Sequence, residues 1–204
     1  MGRRRRRRAS DVLAFVVLIG AAAAVVVPRA LHAAAAHAGL LTAVGAALFA
    51  AAVAAVMFTI RRKRRMRARE DARLVAALRQ NTLSPREFEE ALAVLCRRDG
   101  CTDVRVVGGP GDLGADILAR APDGRRIVLQ AKRYRTDRTV GSPDVQRFGG
   151  TAHTVHHADV AAVVTTAHAF TAQAQSYAAQ AGIRLIAAKA LAAWDSGTGP
   201  APWN

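Results

Sequence analysis

The segment Gly39–Ile60 runs for 22 residues with no polar side chain other than Thr42 and Thr59. As an α-helix it reaches roughly 33 Å, enough to cross a hydrocarbon layer of about 30 Å. A helix at the edge of a soluble core keeps a polar stripe over such a length, and this one has none. Threonine hydroxyls bond back to the helix carbonyls, so neither interrupts the run. A second run of 16 apolar residues, Val12–Val27, lies between Asp11 and Pro28. It reaches only about 24 Å and needs a thinned bilayer or flanking residues to span. The expectation is a two-helix transmembrane hairpin, with spans at 12–27 and 39–60 inside a membrane anchor of residues 1–69.

Charge orients this anchor. Arg3–Arg8 precede the first run and RRKRRMRAR (Arg61–Arg69) follows the second, while Pro28–Ala38 between them carries only Arg29, His32 and His37. The positive-inside rule puts both ends in the cytoplasm of a multi-pass cell-membrane protein. If the first run is instead a cleaved signal peptide, the second acts as a stop-transfer segment and the chain beyond it is still cytoplasmic. The cluster at 61–69 reads either as a topological signal touching anionic lipid or as part of a DNA-binding surface. His32 and His37 read as interfacial loop residues.

The chain carries 30 Lys and Arg against 15 Asp and Glu, a net charge of +15 that suggests nucleic acid or an anionic membrane as partner. The excess is local. Fourteen of the basic residues precede residue 70, and from Glu70 onward the net charge is only +2. Global charge is therefore weak evidence for a DNA-binding domain. Cys96 and Cys101 have neither CxxC spacing nor the number for a disulfide framework, and read as reduced thiols of a cytosolic domain.

After a linker at 70–83 the pattern changes to short alternating elements over 84–195. Ser84-Pro85-Arg86-Glu87 is a capping box with proline at the first helical position. Phe88, Leu92 and Leu95 follow at helical spacing, and Gly100 closes the helix. Strands are expected at 103–107, 115–119 and 126–132, the last two joined by the Pro122-Asp123-Gly124 turn. A helix from Ser142 to about His156, a strand at 160–166, a helix at 171–181, a strand at 183–187 and a short helix through Leu191 and Trp194 complete an α/β domain with a mixed sheet. Residues 196–204, rich in Gly and Pro, read as a flexible tail.

Asp116 lies in an apolar strand directly after a glycine-rich turn, and Gln130 and Lys132, two apart on the next strand, share one sheet face. If these strands form a hairpin, a carboxylate, an amide oxygen and an ammonium meet on that face. Two readings stand. The oxygens suit a hard cation such as Mg²⁺, with the lysine acting on water or phosphate; or the group is a strand-end ion pair with a polar neighbour. His153 and His157, four apart near His156 on the expected helix, are too few for zinc and read as a solvated face. Arg133, Tyr134, Arg135 and Arg138 form a basic, partly aromatic segment after the third strand, either a solvated loop or a contact for DNA phosphates. Phe170 and Thr171 read as a helix staple and cap.

From Phe88 to about Leu191 the chain resembles the Mrr-type restriction endonuclease domain of the PD-(D/E)xK nuclease superfamily. The residues carrying the resemblance are Glu87-Phe88-Glu89, GDLGADILA (Gly111–Ala119) and LQAKRY (Leu129–Tyr134). Val140-Gly141 with Asp144-Val145-Gln146, VVTTAHAFTAQA (Val163–Ala174) and Leu185-Ile186 continue it. The resemblance implies a restriction-endonuclease-like mixed sheet flanked by helices, and a DNA phosphodiesterase using Mg²⁺, with Mn²⁺ as the alternative. It assigns Asp116 as metal-binding aspartate and Lys132 as catalytic lysine. Gln130 stands as second metal ligand where most of the superfamily has Asp or Glu, and Glu89 faces the site. Asp112 takes a structural or supporting place in the glycine-rich turn, and Arg133, Tyr134, Arg135 and Arg138 lie where DNA approaches. Ala115 replaces the superfamily's proline, and Ala187-Ala188 replace a common Asp-Gly. The implied protein is a membrane-anchored endonuclease acting at the cytoplasmic face, in restriction or defence, as a homodimer if both strands are cut. A non-cleaving DNA-binding module and a membrane-tethered scaffold are the alternatives.

Overall fold

A computed structural model describes residues 3–109 and 111–204, without the side chains of 3–19, 21–23, 34, 36 and 41. The chain divides into two units, Met1–Arg64 and Arg65–Asn204. The first helix, α1 (Arg3–Arg79), makes up the first unit and enters the second, with Pro28 inside it.

In the first unit the large apolar side chains from Val25 to Ile60 that are described are exposed, Leu48, Phe49 and Phe58 among them. The Thr42 and Thr59 hydroxyls donate to the carbonyls of Gly39 and Val56, three residues back, at 2.9 and 2.8 Å. Among the described residues one helix is long and apolar enough to cross a membrane. The expected connection at 28–38 corrects to helix: no turn separates the two apolar runs. Arg29–Ala38 contains six alanines and no Gly, Asn, Asp or Ser, so local propensity favours helix over the reversal that a hairpin needs. Most side chains of the run at 12–27 lie outside the described residues.

The second unit begins with the end of α1. The expected linker at 70–83 is a packed element instead, because Leu74 and Leu78, one helical turn apart, and Leu83 are buried in the core. Then α2 (Pro85–Arg98) starts on its capping box: the Ser84 amide donates to Glu87 Oε2 at 2.9 Å and the Glu87 amide to Ser84 Oγ at 3.3 Å. There follow β1 (Thr102–Val106), β2 (Ile117–Arg120), β3 (Arg126–Lys132), β4 (Thr139–Val140), α3 (Ser142–Ala152) and β5 (Val160–Thr165). The remaining elements are β6 (Ala169–Phe170), α4 (Ala172–Ala181), β7 (Ile183–Ile186) and α5 (Ala188–Ser196).

The main sheet has the order β1-β2-β3-β5-β7, antiparallel from β1 to β3 and parallel from β3 to β7. β4 and β6 pair in parallel as a two-residue ladder, too short to register as periodicity in the sequence. One face of the main sheet packs Ile117, Ile127, Leu129, Ala162 and Val164 against α2, the end of α1 and Leu191 and Trp194 of α5. The other packs Val128, Ala161 and Val163 against Val145, Phe148 and Ala152 of α3 and Ala174 and Ala178 of α4.

Two more expectations change. The tail is not frayed: Ala201 and Trp203 are buried, and Trp203, 2% exposed, meets Trp194 edge-on at 5.7 Å. Its backbone is held by Arg125 Nη2, which donates to the Trp203 carbonyl at 2.6 Å, and Arg184 Nη1, which donates to that of Pro202 at 2.7 Å. α3 stops at Ala152 rather than near His156; Val155 and His156 amides both donate to Thr151 O, and His157 has φ +52°, so His153 and His157 do not share a helical face. Cys96 and Cys101 are free and buried. The Cys96 thiol, hydrogen-bonded to Cys101 and buried, is held well above the ordinary thiol range.

Candidate active site

The site grows from the turn between β1 and β2. Asp112 accepts from the amides of Gly109 and Gly114 through its two oxygens, each at 2.8 Å, and its carbonyl takes the Ala115 amide at 3.1 Å. This knot keeps residues 112–115 out of the ladder, so β2 starts at Ile117 rather than Ala115. Gly114 has φ +87°, and a Cβ there would lie 3.5 Å from Gln130 Nε2. Glycine thus serves both the left-handed turn and the approach to β3.

Asp116 leaves this turn next to β3. Its amide donates to Leu129 O at 2.9 Å, and its Oδ2 accepts from the Ala131 amide at 2.7 Å, so the two bonds straddle Gln130. Burial pushes the Asp116 carboxyl above the ordinary carboxylate range; the Ala131 hydrogen bond opposes this, Asp112 adds to it and Lys132 reduces it. Gln130 is 4% exposed, and its Oε1 is buried with no hydrogen-bond partner among the described residues. An unmade bond of that kind costs about 1–3 kcal/mol, so the position favours a ligand on that oxygen.

Lys132, at the end of β3, places Nζ 3.8 Å from Asp144 Oδ1 in the first turn of α3. Asp144 also accepts from the Tyr134 hydroxyl at 3.0 Å. Two buried threonines, the last residue of β5 and the one after it, extend the β3–β5 contact past Lys132. Thr165 Oγ1 donates to Lys132 O at 2.6 Å and Thr166 Oγ1 to Tyr134 O at 2.6 Å. The backbone carrying the lysine is therefore clamped while its ammonium stays partly exposed. Glu89, on α2, lies against Gly108, where a Cβ would fall within 3.1 Å of either carboxylate oxygen. Burial and then the charge of Asp116 push the Glu89 carboxyl up.

The basic segment after β3 disperses. Tyr134 turns toward Asp144, Arg133 Nη2 donates to Asn81 O at 3.3 Å, and Arg135 and Arg138 are exposed, with Arg135 3.4 Å from Asp137. Asp116, Gln130, Lys132 and Glu89 are brought to one end of the sheet, together with Asp144, Thr165 and Thr166, which have no assigned role in the sequence reading. An aspartate in a helix first turn is common for capping reasons alone, so only its closeness to Lys132 and Tyr134 distinguishes Asp144.

The residues present fit a hard divalent cation. Asp116 has committed one carboxylate oxygen to a backbone amide, and Gln130 offers a buried amide oxygen with no other partner. Among the described residues no group of three or more His, Cys, Asp or Glu could hold a metal. A small set of protein oxygens completed by water and phosphate is how Mg²⁺ is commonly held.

Fold and site together define a restriction-endonuclease-type domain. The profile of the Mrr_cat family, described as restriction endonuclease, matches residues 80–194, more than half of the chain. The protein belongs to this family. Solved structures similar to it include the DNA modification-dependent restriction endonuclease AspBHI, 23% identical over 66% of this chain and 37% of that one, with a TM-score of 0.48. Another is the MspJI restriction endonuclease in complex with a 27-mer oligonucleotide, at 22% identity, 61% and 30% coverage and a TM-score of 0.43. A repair endonuclease from Pyrococcus abyssi gives 18%, 49%, 42% and 0.34. The chain thus spans about a third of the length of the two restriction enzymes. No curated protein sequence matches it.

Proposed function

We propose that this protein is a divalent-cation-dependent DNA endonuclease of restriction type, tethered to the cell membrane with its nuclease domain at the cytoplasmic face. The observation that carries the reading is the buried, unpartnered Gln130 Oε1 beside a partly committed Asp116, with Lys132 on the same strand. Asp116 and Gln130 would hold Mg²⁺ or Mn²⁺, which would supply Lewis-acid stabilisation of the scissile phosphate. Lys132 orients the attacking water and balances charge building on the phosphate oxygens. Asp144, itself bonded by the Tyr134 hydroxyl, pairs with the lysine, and the threonine clamp fixes its backbone. Glu89, its carboxyl pushed up by burial, is the candidate to exchange a proton with water at the site. Asp112 preserves the turn that carries Asp116.

Full-length protein in detergent micelles is expected to nick supercoiled plasmid with Mg²⁺ or Mn²⁺ and to stop with EDTA. Linear product from one encounter would indicate two copies acting together. Duplex binding with no nicking under any cation would replace the enzyme by a DNA-binding module; neither activity would leave a tethered scaffold.

The membrane part rests on the exposed apolar side chains of α1 up to Ile60 and on the basic cluster beyond them. A crossing by residues 39–60 with Arg61–Arg69 inside lets the cluster meet anionic lipid. A reporter fused after Arg69 should behave as cytoplasmic; an externally active one would overturn this placement.

A further inference from the structure

The domain's near-neutral charge conceals a polarised sheet face. Cα partners in an antiparallel ladder project to the same side, as do alternate residues of one strand. The pairs Arg105↔Leu118, Leu118↔Val128 and Arg120↔Arg126 therefore put Arg105, Arg120 and Arg126 on the face that carries Gln130 and Lys132. Arg126 and Lys132 sit at opposite ends of β3, six residues or about 20 Å apart.

At that far end lies an open groove of ≈ 640 Å³, lined by the three arginines, Leu118, Val155 and His156, with Asp103 as its one acidic residue. The Arg105 side chain is exposed and makes no hydrogen bond or ion pair among the described residues. Arg120 has only a 3.6 Å pairing with the exposed Asp103 and a 3.2 Å bond to Gly124 O. Arg126 Nη1 donates to His156 O at 3.1 Å, and His156 Nε2 is buried without a partner. The near end is the reverse: Glu89, Asp112, Asp116 and Asp144 gather there around Lys132. An acidic cleft repels phosphates, so holding a DNA chain calls for positive charge away from the cleft, beyond the part of the face that α3 and α4 cover.

We propose that this groove is a phosphodiester-binding site that anchors the substrate duplex away from the cut, with Arg105 and Arg120 as its principal phosphate contacts. The inference rests on the endonuclease reading and adds where the duplex is held. The Arg105 guanidinium can take phosphate oxygens without giving up a partner and Arg120 by exchanging two exposed contacts, and each neutralised phosphate releases counterions.

The test is duplex binding by the full-length protein in neutral detergent, with Ca²⁺ replacing Mg²⁺, across a salt series. Arg105→Gln and Arg120→Gln should each lower the slope of log affinity against log salt by about 0.9, equivalent to about eightfold weaker binding at 0.1 M. Arg97→Gln, on exposed α2 surface, should leave the slope unchanged, and Arg105→Lys should largely restore it. A slope unmoved by Arg105→Gln, or one moved equally by Arg97→Gln, would overturn the proposal. If Arg120→Gln fails to fold by circular dichroism, Arg105→Gln alone decides. Wild-type protein that binds and nicks while the groove variants match it sinks only the groove; wild-type protein that neither binds nor nicks sinks the endonuclease reading itself.

Discussion

The two faces of the central sheet are built from different materials. The face toward α2 and α5 carries the bulky side chains, including Phe88, Leu92, Leu95, Ile117, Ile127, Leu129 and Trp194, and admits little that is polar. The face toward α3 and α4 is smaller and richer in alanine and valine around Phe148, Phe170 and Ile183, and in the same layer β3 presents Gln130 and Lys132. Neighbouring residues of one strand thus serve opposite purposes: Leu129 is fully buried among aliphatic groups, while Gln130 keeps an unpaired oxygen. The larger of the two core layers thus lies on the side away from Gln130 and Lys132.

The contrast should break most visibly at Asp116. Asp116→Ala is expected to lower nicking about 10³-fold or more, since it removes the carboxylate ligand of the cation, while duplex binding and the fold persist. Leu129→Ala, on the opposite face, should do the reverse kind of damage, costing about 2–5 kcal/mol of stability in a denaturant titration. If Asp116→Ala unfolds the domain, or Leu129→Ala leaves the melt unchanged, the division of labour is wrong.

Asp144→Asn probes the site more gently. It keeps the shape but weakens the hold on Lys132, so nicking should fall between about 10- and 100-fold with little change in DNA affinity. A matching loss of affinity would make Asp144 structural.

The smallest effect concerns pH. Burial raises the Asp116 carboxyl above its unfolded value, so the folded chain holds more protons than the unfolded one in the window between the two. Wild-type stability should therefore fall as pH rises through that window, with the penalty complete above it. Asp116→Asn, which keeps an oxygen for the Ala131 amide, should melt a few degrees or less above wild type at neutral pH and equal it in acid. Ca²⁺ should narrow that gap by stabilising only the wild type. A variant less stable than wild type at neutral pH would show the carboxylate to be structural.

Features encoded within a few residues are legible in the sequence alone. Ser84 and Glu87 form their capping box through neighbours three apart, and the alternation Val128, Gln130, Lys132 assigns a face without knowledge of what covers it. The features that escape depend on partners distant in sequence. Leu74 and Leu78 look like part of a charged linker until the Arg79–Asp195 bond at 2.7 Å shows that this turn of α1 lies on α5. Asp144 gains meaning only from Lys132 and Tyr134, twelve and ten residues earlier. The four residues of β4 and β6 carry no periodic signal at all. The alanine-rich stretch after Pro28 shows the opposite failure, since hydropathy and charge mark a loop where local propensity makes helix.

The buried Trp203 also bears on how the domain comes into being. The core layer over α2 and α5 includes Trp194 and Trp203, and the carbonyl of Trp203 is gripped by Arg125 in the hairpin between β2 and β3. A ribosome delivers residue 125 long before residue 203. The emerging chain must therefore wait with that layer uncovered until its closing segment arrives, and those are the moments when a chaperone or a neighbouring nascent chain has most access to it.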